Sequence, residues 1–354
     1  MKGLILSGGR GTRLRPLTHT AAKQLVPVAN KPVLFYAIEA VVAAGIREIG
    51  IVVGETREEV RAAVGDGSRF GARVTYIEQD APRGLAHAVL ISEPFLRGEP
   101  FVMYLGDNLI ASGIASLVEE YRRLGCNAQI LLARVPNPSA FGVAELADGR
   151  IVRLVEKPSA PRSDLALVGV YMFDDTVFEA VKGIQPSARG ELEITDAIQW
   201  LVDHGRTVHP HLVTGWWKDT GKVEDMLEAN RMILDTFAAR IEGTLAEGGR
   251  VEGKVVLEAG AVVRRSVVRG PAVIGAGAVI EDAFVGPYTA IGAGTRLHSC
   301  EIENSIVWEQ CEISDIPVRI ADSLIGRGVK IHRGELMPKV HRFLIGDNSE
   351  IGIV

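Results

Sequence analysis

The sequence predicts an α/β protein. A doubly wound, mostly parallel sheet is expected over residues 1–240, and a parallel β-helix of hexapeptide repeats over 241–354. Three observations carry this. Short apolar runs alternate with helically spaced segments up to about Arg240, the pattern of strands crossed over by helices. After Gly249 branched aliphatics recur about every six residues: Val251, Leu257, Val263, Ile274, Ile280, Val285, Ile291, Leu297. That period marks coils whose flat sides each send one aliphatic inward. The third observation is length, because 354 residues exceed what one hydrophobic core usually serves.

The elements follow in order. The run to Ser7 leads into the glycine turn Gly8-Gly9-Arg10-Gly11. Ile49–Val53, Val74–Ile77, Phe101–Leu105 and Gln129–Val135 read as buried strands. Val33–Ala44, Thr56–Val64, Leu85–Leu96 and Ile114–Leu124 read as helices. Lys222–Arg240 reads as one long helix and Gly243–Gly249 as a linker. Offsets of five, Val263 to Val268 and Ile280 to Val285, blur the later period without destroying it.

Charge is unevenly placed. Six Lys or Arg and no acid fall between Met1 and Ile38, while the whole chain is net −5. A basic, glycine-rich turn in an acidic protein calls for an anion, met by backbone N–H groups and cations at a strand-to-helix turn. The overall acidity argues against nucleic acid as a partner. No uncharged apolar stretch approaches roughly 20 residues, so no membrane span is expected. Three widely spaced cysteines (Cys126, Cys300, Cys311) and no apparent signal peptide fit reduced thiols and a cytoplasmic location.

Four motifs carry chemistry. Gly8-Gly9-Arg10-Gly11-Thr12-Arg13-Leu14 is neither a dinucleotide fingerprint nor a P-loop. Arg10, Arg13, Arg15 and Lys23 crowd the same stretch, which an ordinary tight turn does not explain. Asp107 ends an apolar strand, where ligands gather in open α/β sheets. Asp219 lies in Trp217-Lys218-Asp219-Thr220-Gly221. Together the two carboxylates suit one hard cation such as Mg²⁺, shared with substrate phosphates; singly, each reads as a turn or cap residue. Glu156-Lys157-Pro158 with Gly142 upstream suits a sugar's hydroxyls and phosphate, or else is a surface charge pair before a proline. His209-Pro210-His211 reads as structural, and no serine-hydrolase elbow occurs.

Taken together these residues resemble the sugar-1-phosphate nucleotidyltransferases. The likeness runs through GGRGTRL, Lys23 in KQLVPV, Gln79 with Arg83-Gly84-Leu85-Ala86, Gly106-Asp107-Asn108, Glu156-Lys157-Pro158, Gly190-Glu191-Leu192-Glu193-Ile194-Thr195-Asp196 and Trp217-Lys218-Asp219-Thr220-Gly221. The KQL, GDN and RGELEITD variants are most similar to the glucose-1-phosphate thymidylyltransferases, and the trailing repeats to their long form. The resemblance implies a Rossmann-like nucleotide-diphospho-sugar transferase domain followed by a left-handed β-helix. It implies transfer from dTTP to glucose 1-phosphate with Mg²⁺; the faces and open ends of a β-helix suit self-association, so a homo-oligomer is expected.

Site roles come from the same resemblance. Leu6, Gly8 and Gly9 would line the nucleoside, and Gly11, Thr12 and Arg13 would hold the triphosphate with Gln24 nearby. Gln79 and Gly84 would meet the base edge, and Asp107 and Asp219 the metal. Gly142, Glu156, Lys157 and Val168 would hold the sugar phosphate. Arg13 and Lys23 would stabilise the reacting phosphates, Lys23 being read as a solvated loop lysine with little packing. Alternatives are a UTP-using enzyme, an added acetyltransferase with His298 or His332 in the β-helix, and a non-catalytic nucleotide-binding relative. Arg13, Lys23, Asp107 and Asp219 together count against the last.

Overall fold

The computed structural model describes residues 1–9, 11–19, 21–334, 343 and 345–352. The chain forms two compact units. One gathers Met1–Arg10, Ala22–Leu25 and Val33–Asp219, the other Gly11–Ala21, Val26–Pro32 and Thr220–Val354.

The first unit is built on a nine-stranded sheet. Its parallel heart is β1 (Lys2–Ser7), β2 (Glu48–Val53), β3 (Arg73–Glu78) and β4 (Phe101–Leu105), with β1 paired to both β2 and β4. β1 and β2 are apolar almost throughout because both sheet faces are covered. Leu4 and Leu6 enter one core layer and Ile5 the other. The chain runs β1, β2, β3 to one side and returns to β4 on the other, so a topological switch point lies beyond the ends of β1 and β4. Gly8-Gly9 and Gly106-Asp107 follow those ends. Beyond β4 the sheet turns antiparallel through Leu165–Phe173. That strand borders the hairpin of Gly142–Ala147 and Arg150–Glu156, and also Ala128–Arg134.

Four expectations change. Among the described residues no full helix follows the glycine turn directly; single 3₁₀ turns at Thr12–Leu14, Leu17–His19 and Lys23–Leu25 and the hairpin of Pro27–Val28 with Lys31–Pro32 come before the helix Val33–Ala43. The segment Leu85–Leu96 breaks at Ser92, where Pro94 opens a separate short turn. The long helix ends at Asp235, because Arg240–Ile241 already pairs as a strand. Gly243–Gly249 is no linker, since Thr244–Leu245 pairs with Val262–Val263.

The second unit is a three-sided coil of parallel strands in sheets of six, six and five. Val255 pairs with Ala272, and Ala272 with Thr289, so these turns of coil take 17 residues rather than 18. The shortened corner explains the offsets of five. Arg265, Asp282, Ser299 and Asp315 stack there, each with a left-handed backbone. Val263, Ile280 and Leu297 fill the core at 1% exposure or less.

The three sides differ outside. Two carry charge, as in Arg264, Glu281 and His298 or Arg269 and Glu301. The third presents Val256, Val273 and Ala290, all buried under Ala29 and Leu234. The helix Val223–Asp235 and the hairpin of Pro27–Val28 with Lys31–Pro32 cover it. Asn230, fully buried, pins the hairpin. Its Oδ1 accepts from the Ala29 N–H at 2.8 Å, and its Nδ2 donates to the Tyr288 carbonyl at 2.8 Å. Asn30 Nδ2 donates to the Ile291 carbonyl at 2.7 Å.

Candidate active site

Lys23 occupies a 3₁₀ turn and is only 9% exposed, so the reading of a solvated loop lysine is corrected. Its ammonium donates to Asp107 and lies 3.9 Å from Asp219. Two carboxylates 112 residues apart in sequence thus converge on one cation. The short strand Trp217–Asp219 delivers Asp219 by pairing antiparallel to Asn108–Ile110, with Asp219 opposite Asn108. Asn108, 2% exposed, locks the arrangement. It donates to Asp107 at 2.9 Å and accepts from Trp217 Nε1 at 2.6 Å.

Burial alone would push the Asp107 carboxyl up. The Lys23 ammonium and the bonds from Lys23 and Asn108 outweigh it and hold the group below the usual carboxylate range. Hard oxygen donors gathered on a shared positive charge fit a divalent cation. Among the described residues no cluster of three or more metal-ligating side chains forms, so the remaining positions would fall to substrate oxygens and water.

Around the glycine turn the structure brings several expected residues together. Leu6, at the end of β1, is 8% exposed. A Cβ on Gly8 would stand 3.2 Å from Gln79 Oε1, and one on Gly9 3.7 Å from Gln24 Nε2. Gln24 is 2% exposed, and its Oε1 has no hydrogen-bond partner among the described residues. A buried amide oxygen left open beside a glycine turn is a place for a ligand. Gly84 has φ +100°, and a Cβ there would stand 2.3 Å from the Leu192 carbonyl oxygen, so only glycine fits. Gly11, Thr12 and Arg13 belong to the second unit. Gly11 is left-handed and its carbonyl accepts from Thr18 Oγ1 at 2.7 Å. Arg10 lies outside the described residues.

The expected sugar-phosphate residues sit at the end of the antiparallel hairpin. Glu156 stands opposite Gly142, whose missing side chain leaves room for it: a Cβ would meet Thr195 at 2.5 Å and Glu156 Oε2 at 3.1 Å. Lys157 Nζ is 3.5 Å from Glu156, and its N–H donates to the Phe141 carbonyl at 3.0 Å. The Phe141 ring meets the Trp217 ring edge-on at 5.5 Å, which ties this hairpin to the strand of Asp219. Val168 is fully buried in the core layer of Ile5 and Tyr104.

Sequence reasoning missed Arg189. It donates to Glu156 at 3.2 Å and to Glu191 at 2.8 Å, with Glu193 at 3.8 Å. Its signal was present in the RGELEITD run, where one cation precedes three acids. Glu193 is 4% exposed; burial, then the Glu156 charge, raises its carboxyl. His209 and His211, read as structural, face one carboxylate: His211 Nδ1 is 2.7 Å and His209 Nε2 3.9 Å from Glu120. His298 is half exposed, 3.9 Å from Asp282, and His332 is exposed.

A parallel sheet with its switch point at a glycine turn, and two carboxylates sharing a lysine beside it, define a phosphate-handling transferase. The sequence profile described as Nucleotidyl transferase matches residues 2–236, and the chain belongs to that family. It is 53% identical over 354 residues to a glucose-1-phosphate thymidylyltransferase of Streptomyces griseus, covering 100% of this chain and 99% of that one. It is 47% identical over 356 residues to a low-salt glycan biosynthesis nucleotidyltransferase of Haloferax volcanii, covering 99% of each. A solved structure from Bacillus anthracis, described as a glucose-1-phosphate thymidylyltransferase with sucrose, superposes with a TM-score of 0.64 at 36% identity. It covers 68% of this chain and 98% of that one. Among the described residues no helix is long and apolar enough to cross a membrane.

Proposed function

We propose that the protein transfers a thymidylyl group from dTTP to glucose 1-phosphate, giving dTDP-glucose and pyrophosphate. The observation that carries this is end-to-end identity of 53% and 54% to two Streptomyces glucose-1-phosphate thymidylyltransferases. The catalytic domain of this reading runs to residue 240, and the β-helix domain follows.

A phosphate oxygen of the sugar attacks the α-phosphorus in line. The bond from that phosphorus to the bridging oxygen breaks, and pyrophosphate leaves with the electron pair. The nucleophile is already ionised near neutral pH, so no general base is needed. The protein's task is to bring two polyanions together and neutralise them. Lys23 and Arg13 donate to the reacting phosphates. Gly11, Thr12 and Gln24 orient the triphosphate; Leu6, Gly8, Gly9, Gln79 and Gly84 hold the nucleoside. Gly142, Glu156, Lys157 and Val168 hold the sugar phosphate, with Arg189 fixing Glu156. Mg²⁺, when held by Asp107 and Asp219, supplies further positive charge at the phosphates.

We also propose a cytoplasmic homo-oligomer acting on small molecules, without nucleic acid or membrane. Light scattering of the intact protein tests the assembly. Pyrophosphate release across a panel of triphosphates and sugar 1-phosphates tests the function. Turnover is expected with dTTP and glucose 1-phosphate; none with either dTTP or UTP rejects it.

A further inference from the structure

Gln79 follows β3, and its side-chain amide reaches the turn that opens the helix Leu85–Ile91. Its Nε2 lies 3.4 Å from the Gly84 carbonyl oxygen and 3.0 Å from His87 Nδ1. A carbonyl oxygen only accepts, so the amide nitrogen is the atom that faces Gly84. The two hydrogens of that nitrogen go to Gly84 and His87. His87 Nδ1 is therefore the bare, accepting nitrogen, with the ring proton on Nε2. The Gln79 oxygen is left over Gly8, 3.2 Å from where a Gly8 Cβ would stand. Toward the glycine turn the amide shows one acceptor and no donor.

We infer that His87 is a specificity-determining positioning residue: it fixes the Gln79 amide so that only a base with a ring N–H on its pairing edge is recognised. Among pyrimidines that means thymine and uracil, whose N3 carries hydrogen. Cytosine N3 is an acceptor and would face another acceptor. The inference rests on the reading of Gln79 and Gly84 as the base-edge residues. The surroundings of His87 keep it neutral, as an acceptor must be. Burial first, then the Arg83 charge, lowers its pKa, with Asp80 opposing. Arg83 donates to Asp80 at 2.6 Å, so the two charges partly cancel. Without His87 only the long bond to Gly84 holds the amide, and Nε2 is free to turn toward the base.

Steady-state kinetics with dTTP and with dCTP, each against glucose 1-phosphate, test this in wild type, His87→Leu, His87→Ala and His87→Gln. Melting temperatures are measured alongside. In His87→Leu the KM for dTTP should rise about tenfold, the worth of one good hydrogen bond. The dTTP-to-dCTP ratio of kcat/KM should fall by about tenfold or more, with the KM for glucose 1-phosphate unchanged. His87→Gln, whose amide oxygen can accept, should restore the ratio. A merely structural role would lower the active fraction alike for both nucleotides and leave the ratio intact. His87→Ala keeps the test open if the leucine variant does not fold. An unchanged ratio in the folded Leu or Ala variant overturns the inference, as does a ratio that falls equally in His87→Gln. Wild type idle with both dTTP and UTP is a different result, and defeats the reading of function instead.

Discussion

In the first unit Lys23 is 9% exposed against Asp107 and Asp219, and Glu193 is 4% exposed. In the second, the described acids and bases of the coils stand on outer faces. There Arg265 pairs with Glu281 and Asp282, Arg269 with Glu252, and Arg319 with Glu301 and Glu303. Among the described residues the buried polar groups of the second unit are neutral, such as Asn230, Ser266 and Thr295. Burying a charge carries a desolvation penalty of several kcal/mol, which a hydrophobic replacement avoids. A chain that keeps charges buried in one unit and solvated in the other is marking where charge has work beyond stability. The β-helix derives its order from aliphatic stacking, with ladders of ion pairs outside.

The sharpest break of that contrast is Lys23→Met. Turnover should fall about a thousandfold or more, the scale for losing a preorganised charge at a reacting centre. Stability should fall too, by about 2 kcal/mol, because Asp107, its side chain only 21% exposed, loses the ammonium it faces and keeps neutral donors such as Asn108. The folded Asp107 carboxyl lies below its unfolded value, so the pair's contribution is complete above about pH 4 and is lost as pH falls through the folded pKa. In the variant burial holds Asp107 up instead. Urea unfolding should therefore show the gap to wild type widest near neutral pH and closing in acid. A gap independent of pH would mean that Asp107 and Lys23 do not stabilise each other.

The counterpart in the second unit is Ile280→Ala. Ile280 is fully buried in the aliphatic stack, and its truncation should cost about 2–4 kcal/mol in urea unfolding, with no such pH signature. A smaller effect is expected from Asn230→Ala, which strands the Ala29 N–H and the Tyr288 carbonyl under the apolar third side. About 1–3 kcal/mol should be lost. A loss below about 0.5 kcal/mol would show that water or relaxation satisfies both groups.

What the sequence discloses follows the range of the interaction. β1, β2 and β4 are legible because a run such as Phe101–Leu105 is apolar enough to be buried on both faces. The coils are legible because the same aliphatic returns on a fixed step. The partner of Lys23 is 84 residues away, Asn230 meets a hairpin 201 residues away, and Arg189 reaches back 33 residues to Glu156. No local period records such pairings, so the burial of Lys23 and the role of Arg189 escaped a reading of pattern. One further signal lay in plain view. Val255–Leu257 and Ala272–Ile274 are apolar at every position, where Val262–Arg264 and Val279–Glu281 end in charge. Continuous apolar strands are covered on both faces. That difference announces which side of the coil is covered.

The smallest effect expected is at Arg265, which joins Glu281 and Asp282 across adjacent turns of the coil and is 41% exposed. Exposed pairs gain little in water and lose side-chain entropy when held together. Arg265→Ala should therefore shift the melting temperature by no more than about 2 °C. Salt should narrow the difference further, since pairs open to solvent are screened within about 10 Å at 0.1 M. One complication is built into the position. Arg265 has φ +45° at the shortened corner, a conformation alanine tolerates poorly. Arg265→Gly removes the side chain and relieves the backbone together, so a glycine variant more stable than the alanine one assigns the loss to the corner. A large loss in both variants, erased by salt, would instead show that the outer ladder holds the coil together, and that the two units differ less in their use of charge than their burial suggests.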